Sequence, residues 1–182
     1  DPVDMAAKYG MDAVRVSLIM GMAPGTDSRI SEDKIRGNKH FANKLWNISR
    51  FVLTGISDAD SLSETTLNED DVAILKEFKG VITSVDTHFD SYRIDLAIDT
   101  LYQYLWKRFA DDIIENSKPI LAGTDESAKR SRQRVLKEVL VGSLKLLHPF
   151  MPFVTEAIWQ QLPESVRDKQ HTILMVASWP KA

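Results

Sequence analysis

Arg36, Lys39, Asn43, Asn47 and Arg50 recur at three- and four-residue spacing. On an α-helix they fall within roughly 80° of one another. Lys44 and Phe51 flank that face, and Trp46 lies at its other margin. Cations of this kind take phosphates, and amides pair with base edges. Aromatic rings and guanidinium planes stack on unpaired bases. Together these are the means by which single-stranded RNA is recognised. The same pattern also describes the solvated face of an ordinary bundle helix, with Trp46 packing at the core margin. Spacing alone leaves both readings open.

A second basic group, Lys129, Arg130, Arg132, Arg134 and Lys137, spreads round its helix instead of forming a stripe. It reads as a solvated face, with auxiliary phosphate contact as the alternative. The histidines (His40, His88, His148 and His171) lack metal-ligand spacing. Asp70-Asp71 and Asp111-Asp112 are adjacent carboxylates. Neighbours on a helix diverge by about 100°, so neither pair easily shares a proton or a metal. There is no cysteine and no GxxxxGK[ST] loop. No catalytic constellation emerges, so on its chemistry the chain is a binding or structural module.

The elements that must position these residues are helical. Of the seven prolines none falls in residues 25–118, and apolar residues there recur every three to four positions. The spacing predicts helices over 3–9 and 12–22, broken at Gly10. A long helix follows over 33–54, capped by Ser31 or Asp33. The next is capped by Asn68 and runs to about residue 89, with Asp70 and Asp71 at its positive end. Further helices are expected over 93–117, stopping at Pro119, and over 125–147, capped by Thr124. A last one starts at Pro152 and ends near Leu162. Residues 172–178 read as the one short strand. Phe41, Leu45, Ile48 and Val52 form one core stripe. Ile94, Ala97, Ile98, Leu101, Leu105 and Phe109 form another. Phe150, Phe153 and Trp159 read as packing anchors. The expected architecture is an all-α, antiparallel helix bundle over residues 31–162. Residues 1–30 form a small separate helical segment and 163–182 an extended tail.

Charge is unevenly distributed. The 182 residues carry a net charge of −3, yet residues 29–51 alone sum to +4. The composition excludes a uniformly basic nucleic-acid binder but leaves room for a basic patch. The apolar runs are too short to span a membrane. The chain opens on Asp1 and reads as a piece of a longer protein.

Four stretches carry a family resemblance. Asp1-Pro2 with Tyr9-Gly10-Met11-Asp12-Ala13-Val14-Arg15 resembles the segment after the KMSKS loop of class I aminoacyl-tRNA synthetases. Phe41-Ala42-Asn43-Lys44-Leu45-Trp46-Asn47-Ile48-Ser49-Arg50-Phe51 resembles the NKLWNxxRF helix of the valyl-tRNA synthetase branch. Tyr92-Arg93-Ile94-Asp95-Leu96-Ala97 through Trp106 is similar to its YRFDxA…W helix. Leu147-His148-Pro149-Phe150-Met151-Pro152-Phe153 through Trp159 is similar to its LHPFMPFITEEIW run. Pro24-Gly25-Thr26-Asp27 and the closing Ser178-Trp179-Pro180 also fit.

The resemblance implies a stem-contact segment at 1–30 and an anticodon-binding bundle at 31–162. It implies Lys44, Arg50 and Phe51 as anticodon contacts, which the helical face extends to Asn43, Asn47, Arg36 and Lys39. The partners it implies are valine tRNA isoacceptors and the catalytic domain of the same parent chain, with no DNA and no membrane, in the cytoplasm. ATP and Mg would serve the parent; no cofactor is expected in this piece. Two departures stand out. Gly37-Asn38-Lys39-His40-Phe41 replaces the usual EGxRNF, which leaves the role of Lys39 open. Ala110-Asp111-Asp112 replaces the usual CDW.

Overall fold

The computed structural model describes residues 1–27, 30–56, 62, 64–167 and 172–182. Arg29 of the basic window and His171 lie outside them. Eight α-helices are described: α1 (Pro2–Tyr9), α2 (Met11–Ile19), α3 (Glu32–Gly55), α4 (Glu69–Asp90), α5 (Ile94–Gln103), α6 (Glu115–Ala122), α7 (Glu126–Leu147) and α8 (Pro152–Trp159). A π-helix, Tyr104–Ile114, joins α5 to α6 without a break. Among the described residues there is no strand, and no helix is long and apolar enough to cross a membrane.

Helix ends follow local chemistry. Gly10 takes φ 91°, open to glycine but not to most side chains, and separates α1 from α2. Ser31 caps α3 by accepting from the Lys34 N–H, and Asn68 caps α4 by accepting from the Asp71 N–H. Asp125, not Thr124, caps α7, accepting from the Ser127 and Ala128 N–H groups. Helix does not stop at Pro119. Proline removes only the N–H aimed at Glu115, and that turn faces solvent, so α6 continues to Ala122.

Phe41, Leu45, Ile48 and Val52 of α3 are buried against Ala97, Ile98, Leu101, Leu105 and Phe109. Ile94 is the exception at 42% exposed, because it sits in the first turn of α5 where the helix enters from solvent. Phe150 and Trp159 are buried, but Phe153 is 63% exposed. With Pro152 opening α8, the inward positions are Thr155, Ile158 and Trp159, and Phe153 faces outward.

The basic group on α7 is not simply solvated. Arg132 is buried, with its Nε 2.5 Å from Asp71 Oδ1 and its Nη1 3.1 Å from Ser117 Oγ. Arg134 pairs with Glu138 at 2.8 Å and Lys129 with Glu126 at 2.6 Å. Residues 172–178 are also not a strand; a 3₁₀ turn, Leu174–Val176, replaces it. Besides its own backbone bonds, side chains of the preceding helix region hold it. The Leu174 N–H donates to Glu156 Oε2 at 2.8 Å, Gln160 donates to the Thr172 carbonyl at 2.9 Å, and Leu174 plugs the core.

Residues of the first two helices reach the bundle through the sequence motifs that look conspicuous in isolation. Asp12 of α2 accepts from the Phe153 and Val154 N–H groups at 3.2 and 2.7 Å, capping α8, which has no side-chain cap of its own. Arg15 donates to the Pro149 and Phe150 carbonyls at 2.9 and 3.2 Å. Ala13, Val14 and Ile35 form a second small apolar cluster, whereas Val16 joins the main core.

His148 sits at this junction. Its Nδ1 lies 2.8 Å from Thr155 Oγ1, whose hydrogen goes to the Met151 carbonyl at 2.7 Å. Nδ1 is therefore the donor. Nε2 is buried with no partner among the described residues. A proton on Nε2 would have no acceptor, and burial pushes the imidazole pKa below its ordinary value, against the opposing pull of Glu156 and Asp12. The unfolded chain then takes up this proton at higher pH than the folded one. The contribution is whole above about pH 6.5 and is lost as pH falls. Asp12 shifts upward through burial, which has the opposite sign, so the raw pH profile mixes both groups. Chemical denaturation of wild type and His148→Gln isolates the histidine. Wild type should lose stability relative to the variant as pH drops from 7.5 to 5.5. A difference that does not change with pH would refute the assignment.

Candidate nucleic-acid interface

α3 and the π-helix enclose a groove of about 610 Å³. From α3 it is lined by His40, Asn43, Lys44, Asn47, Ile48 and Phe51. From the opposite wall come Trp106, Ala110, Asp111 and Ile114, continued by Glu115 and Lys118 of α6. The wide turns of the π-helix present these residues to the groove while Leu105, Phe109 and Ile113 stay in the core. π-Helical turns are uncommon and recur at functional sites.

The groove is polar along one wall and apolar at its floor. Asn43 and Asn47 are exposed, so both amides are free to meet a ligand. Phe51 is half-buried, with its inner side on the core. Lys44 crosses the groove: its Nζ lies 2.5 Å from Asp111 Oδ1 and 4.9 Å from the centre of the Trp106 ring. Trp106 is held in turn by Tyr102 and Phe41, with ring centres 5.5 and 6.2 Å away. Lys118 pairs with Glu115 at 2.7 Å. Cations and carboxylates balance inside the groove. That suits the donor and acceptor edges of a base better than a phosphate.

Four of the seven residues expected to bind, Asn43, Lys44, Asn47 and Phe51, line this groove together. Arg50 does not line it; its side chain is exposed on the same helix and forms no hydrogen bond or ion pair among the described residues. Arg36 and Lys39 lie nearer the start of α3. Arg36 pairs with Asp33 at 2.6 Å. Lys39 donates to the Lys8 carbonyl at 3.3 Å and stands 5.7 Å from the Tyr9 ring centre, so it braces α1. Trp46 packs at the core margin. His40, Trp106, Asp111, Glu115 and Lys118 were not legible as site residues. The one hint was that Trp106 and Asp111 stand in family motifs on a helix facing α3.

The bundle carries this groove on its long basic helix, and its family follows from similarity to known proteins. The family model described as "Anticodon-binding domain of tRNA ligase" matches residues 71–182, and the chain belongs to that family. Within it, the chain is similar to valine–tRNA ligases. It is 42% identical to that of Bacillus thuringiensis subsp. konkukian over 99% of its own length, and 40% identical to that of Symbiobacterium thermophilum over 90%. It spans about a fifth of these relatives, 20% and 18% of their lengths. Among solved structures, the Mycobacterium tuberculosis methionyl-tRNA synthetase in its free state superposes with a TM-score of 0.72 at 26% identity. The match covers 90% of this chain and 35% of that one. The LeuRS–tRNA–LeuAMS complex of Agrobacterium radiobacter K84 superposes at 0.69 over all of this chain and 20% of the other. At 17% identity that likeness speaks to the fold.

Proposed function

We propose that the chain reads the anticodon of valine tRNAs on behalf of a valine–tRNA ligase. On this reading the ATP- and Mg-dependent attachment of valine belongs to the rest of the longer protein. The observation that carries the proposal is the shared groove. Asn43, Lys44, Asn47 and Phe51 face Trp106 across a groove of about 610 Å³, with room for more than one base, in a member of the anticodon-binding family. Asn43 and Asn47 offer both donor and acceptor to a base edge. Phe51 and Trp106 offer stacking surfaces, and Arg50 at the side supplies a cation for the backbone.

Titration of a fluorescent valine-anticodon stem-loop at low salt tests this, beside a stem-loop with the second and third anticodon bases changed. Losing a stacked base typically costs about 1–3 kcal/mol. Phe51→Ala and Asn47→Ala should weaken the valine stem-loop by roughly ten- to hundredfold and the altered one much less. Arg50→Ala should weaken both and flatten the salt dependence. Lys39→Ala should leave the preference intact. A wild-type chain with no anticodon preference, or a preference that survives Phe51→Ala and Asn47→Ala, would favour a helical interaction module that keeps the fold without the recognition.

A further inference from the structure

We propose that Asp111 is a positioning residue that sets specificity in the groove between α3 and the π-helix. It holds Lys44 over Trp106, where the ammonium meets a neutral base edge and is withheld from phosphates. The inference rests on the anticodon reading and adds what keeps the groove from taking up RNA by its backbone alone.

The three side chains come from two helices. Lys44 of α3 reaches across the groove until its Nζ is 2.5 Å from Asp111 Oδ1 and 4.9 Å from the Trp106 ring centre. Trp106 and Asp111 are five residues apart on the opposite wall. On an α-helix that spacing diverges by about 140°. The π-helix closes its turns between residues five apart, so both side chains line the same groove. The adjacent carboxylate is engaged elsewhere. Asp112 accepts from Asn116 Nδ2 at 2.7 Å and from Arg108, which also binds Glu77 of α4 at 2.9 Å. Of these two neighbours it is Asp111 that turns to the groove.

An ammonium carries three donors. Asp111 takes one and the face of Trp106 steadies the group, which leaves donors for the acceptor atoms of a base edge. A base is neutral and can join the pair without separating it. A phosphate must draw Lys44 away and strand Asp111, or come to rest beside the carboxylate and be repelled. Specificity is a difference of affinities, and Asp111 acts against the unwanted mode of binding. The Lys44 and Asp111 side chains are 28% and 53% exposed, so the contact is weakly held on its own. A mere surface staple between α3 and the π-helix would change stability slightly and leave RNA binding alone.

The test uses three stem-loops. One carries the valine anticodon, one has its second and third anticodon bases changed, and one has those two bases removed so that only backbone remains. Each is titrated at salt from about 50 to 200 mM. At the low end Asp111→Asn should bind the abasic loop roughly three- to tenfold more tightly than wild type. Its salt dependence should steepen by about 0.7 in log–log slope, the value for one single-strand phosphate. Its preference for the valine loop over the altered loop should fall at least about threefold. Asp111→Glu keeps the carboxylate and should keep both properties near wild type. Lys44→Gln/Asp111→Asn should return the abasic loop to wild-type affinity, because the gain acts through the freed ammonium. Asp90→Asn, an exposed position at the end of α4, controls for net charge and should change nothing. If Asp111→Asn does not fold, Asp111→Ser takes its place. A gain that is absent, that survives in the double variant, or that Asp90→Asn reproduces would overturn the proposal. So would a preference that Asp111→Asn leaves intact. A wild-type chain with no anticodon preference would instead count against the anticodon reading, and the abasic loop would still decide whether Asp111 withholds Lys44.

Discussion

Replacing Trp159 with alanine is expected to destabilise the domain by about 3–5 kcal/mol, the usual cost of truncating a fully buried aromatic. Trp159 is 0% exposed and closes the end of the bundle where α8, α7 and the Leu174 turn meet. Neither α8 nor that turn can collapse freely into the space left behind, because Glu156 and Gln160 tie α8 to the backbone of Leu174 and Thr172 where the turn begins. Two further variants sharpen the test. Phe153→Ala, six residues earlier in the same motif, should stay within about 0.5 kcal/mol of wild type, as substitutions at exposed positions do. Trp159→Phe should cost much less than alanine, because Trp159 Nε1 is buried without a partner among the described residues and phenylalanine removes that N–H. Denaturant unfolding of the three variants checks the ranking. Equal losses for Trp159→Ala and Phe153→Ala would mean that the aromatic residues of this motif are assigned to the wrong faces.

That contrast marks how far the sequence could be read. Periodicity identifies the faces of long regular helices. Phe41, Leu45, Ile48 and Val52 are all buried as their spacing predicts, and Asn68 caps α4 as its type predicts. Phe153 escapes periodicity because α8 is only eight residues long and its phase is set by Pro152 at the first turn. Too few apolar positions follow to fix a face. The groove was half legible for a related reason. Its α3 wall lies on an ideal helix, where an angle per residue has meaning. The other wall lies on a π-helix; the three-to-four-residue spacing still finds its buried Leu105 and Phe109, but not which outward residues, Trp106 and Asp111 among them, turn toward α3. Lys39 and Arg36 satisfied the wheel but sit beside α1 and the start of α3, and no periodicity records what packs next to a helix end.

Arg132 is the clearest residue of that kind, and breaking its contact with Asp71 should be as damaging as removing Trp159. Both side chains are almost wholly buried, and the contact joins the first turn of α4 to the first half of α7. Asp71 accepts from Arg132 Nε at 2.5 Å and from Ser131 Oγ at 2.5 Å. Arg132→Met would leave the Asp71 carboxylate buried with one hydroxyl and the Asn68-capped helix end for company. Removing one partner of a buried pair typically costs about 3–5 kcal/mol, most of it the burden of the stranded charge. For a domain of this size that is roughly 10 °C in Tm. The double variant Asp71→Leu/Arg132→Met removes the stranded charge as well. It should recover most of the loss, since well-packed apolar pairs often match the ion pairs they replace. Ser117 keeps a partner in either variant, because its hydroxyl donates to the Ile113 carbonyl at 2.6 Å. Arg132→Lys should fall between wild type and Arg132→Met, since an ammonium cannot reach both Asp71 and Ser117 as the guanidinium does. Calorimetry on the four proteins gives the answer. A double variant no more stable than Arg132→Met would show that the residues contribute through packing of the Arg132 stem and not through the cancellation of a buried charge.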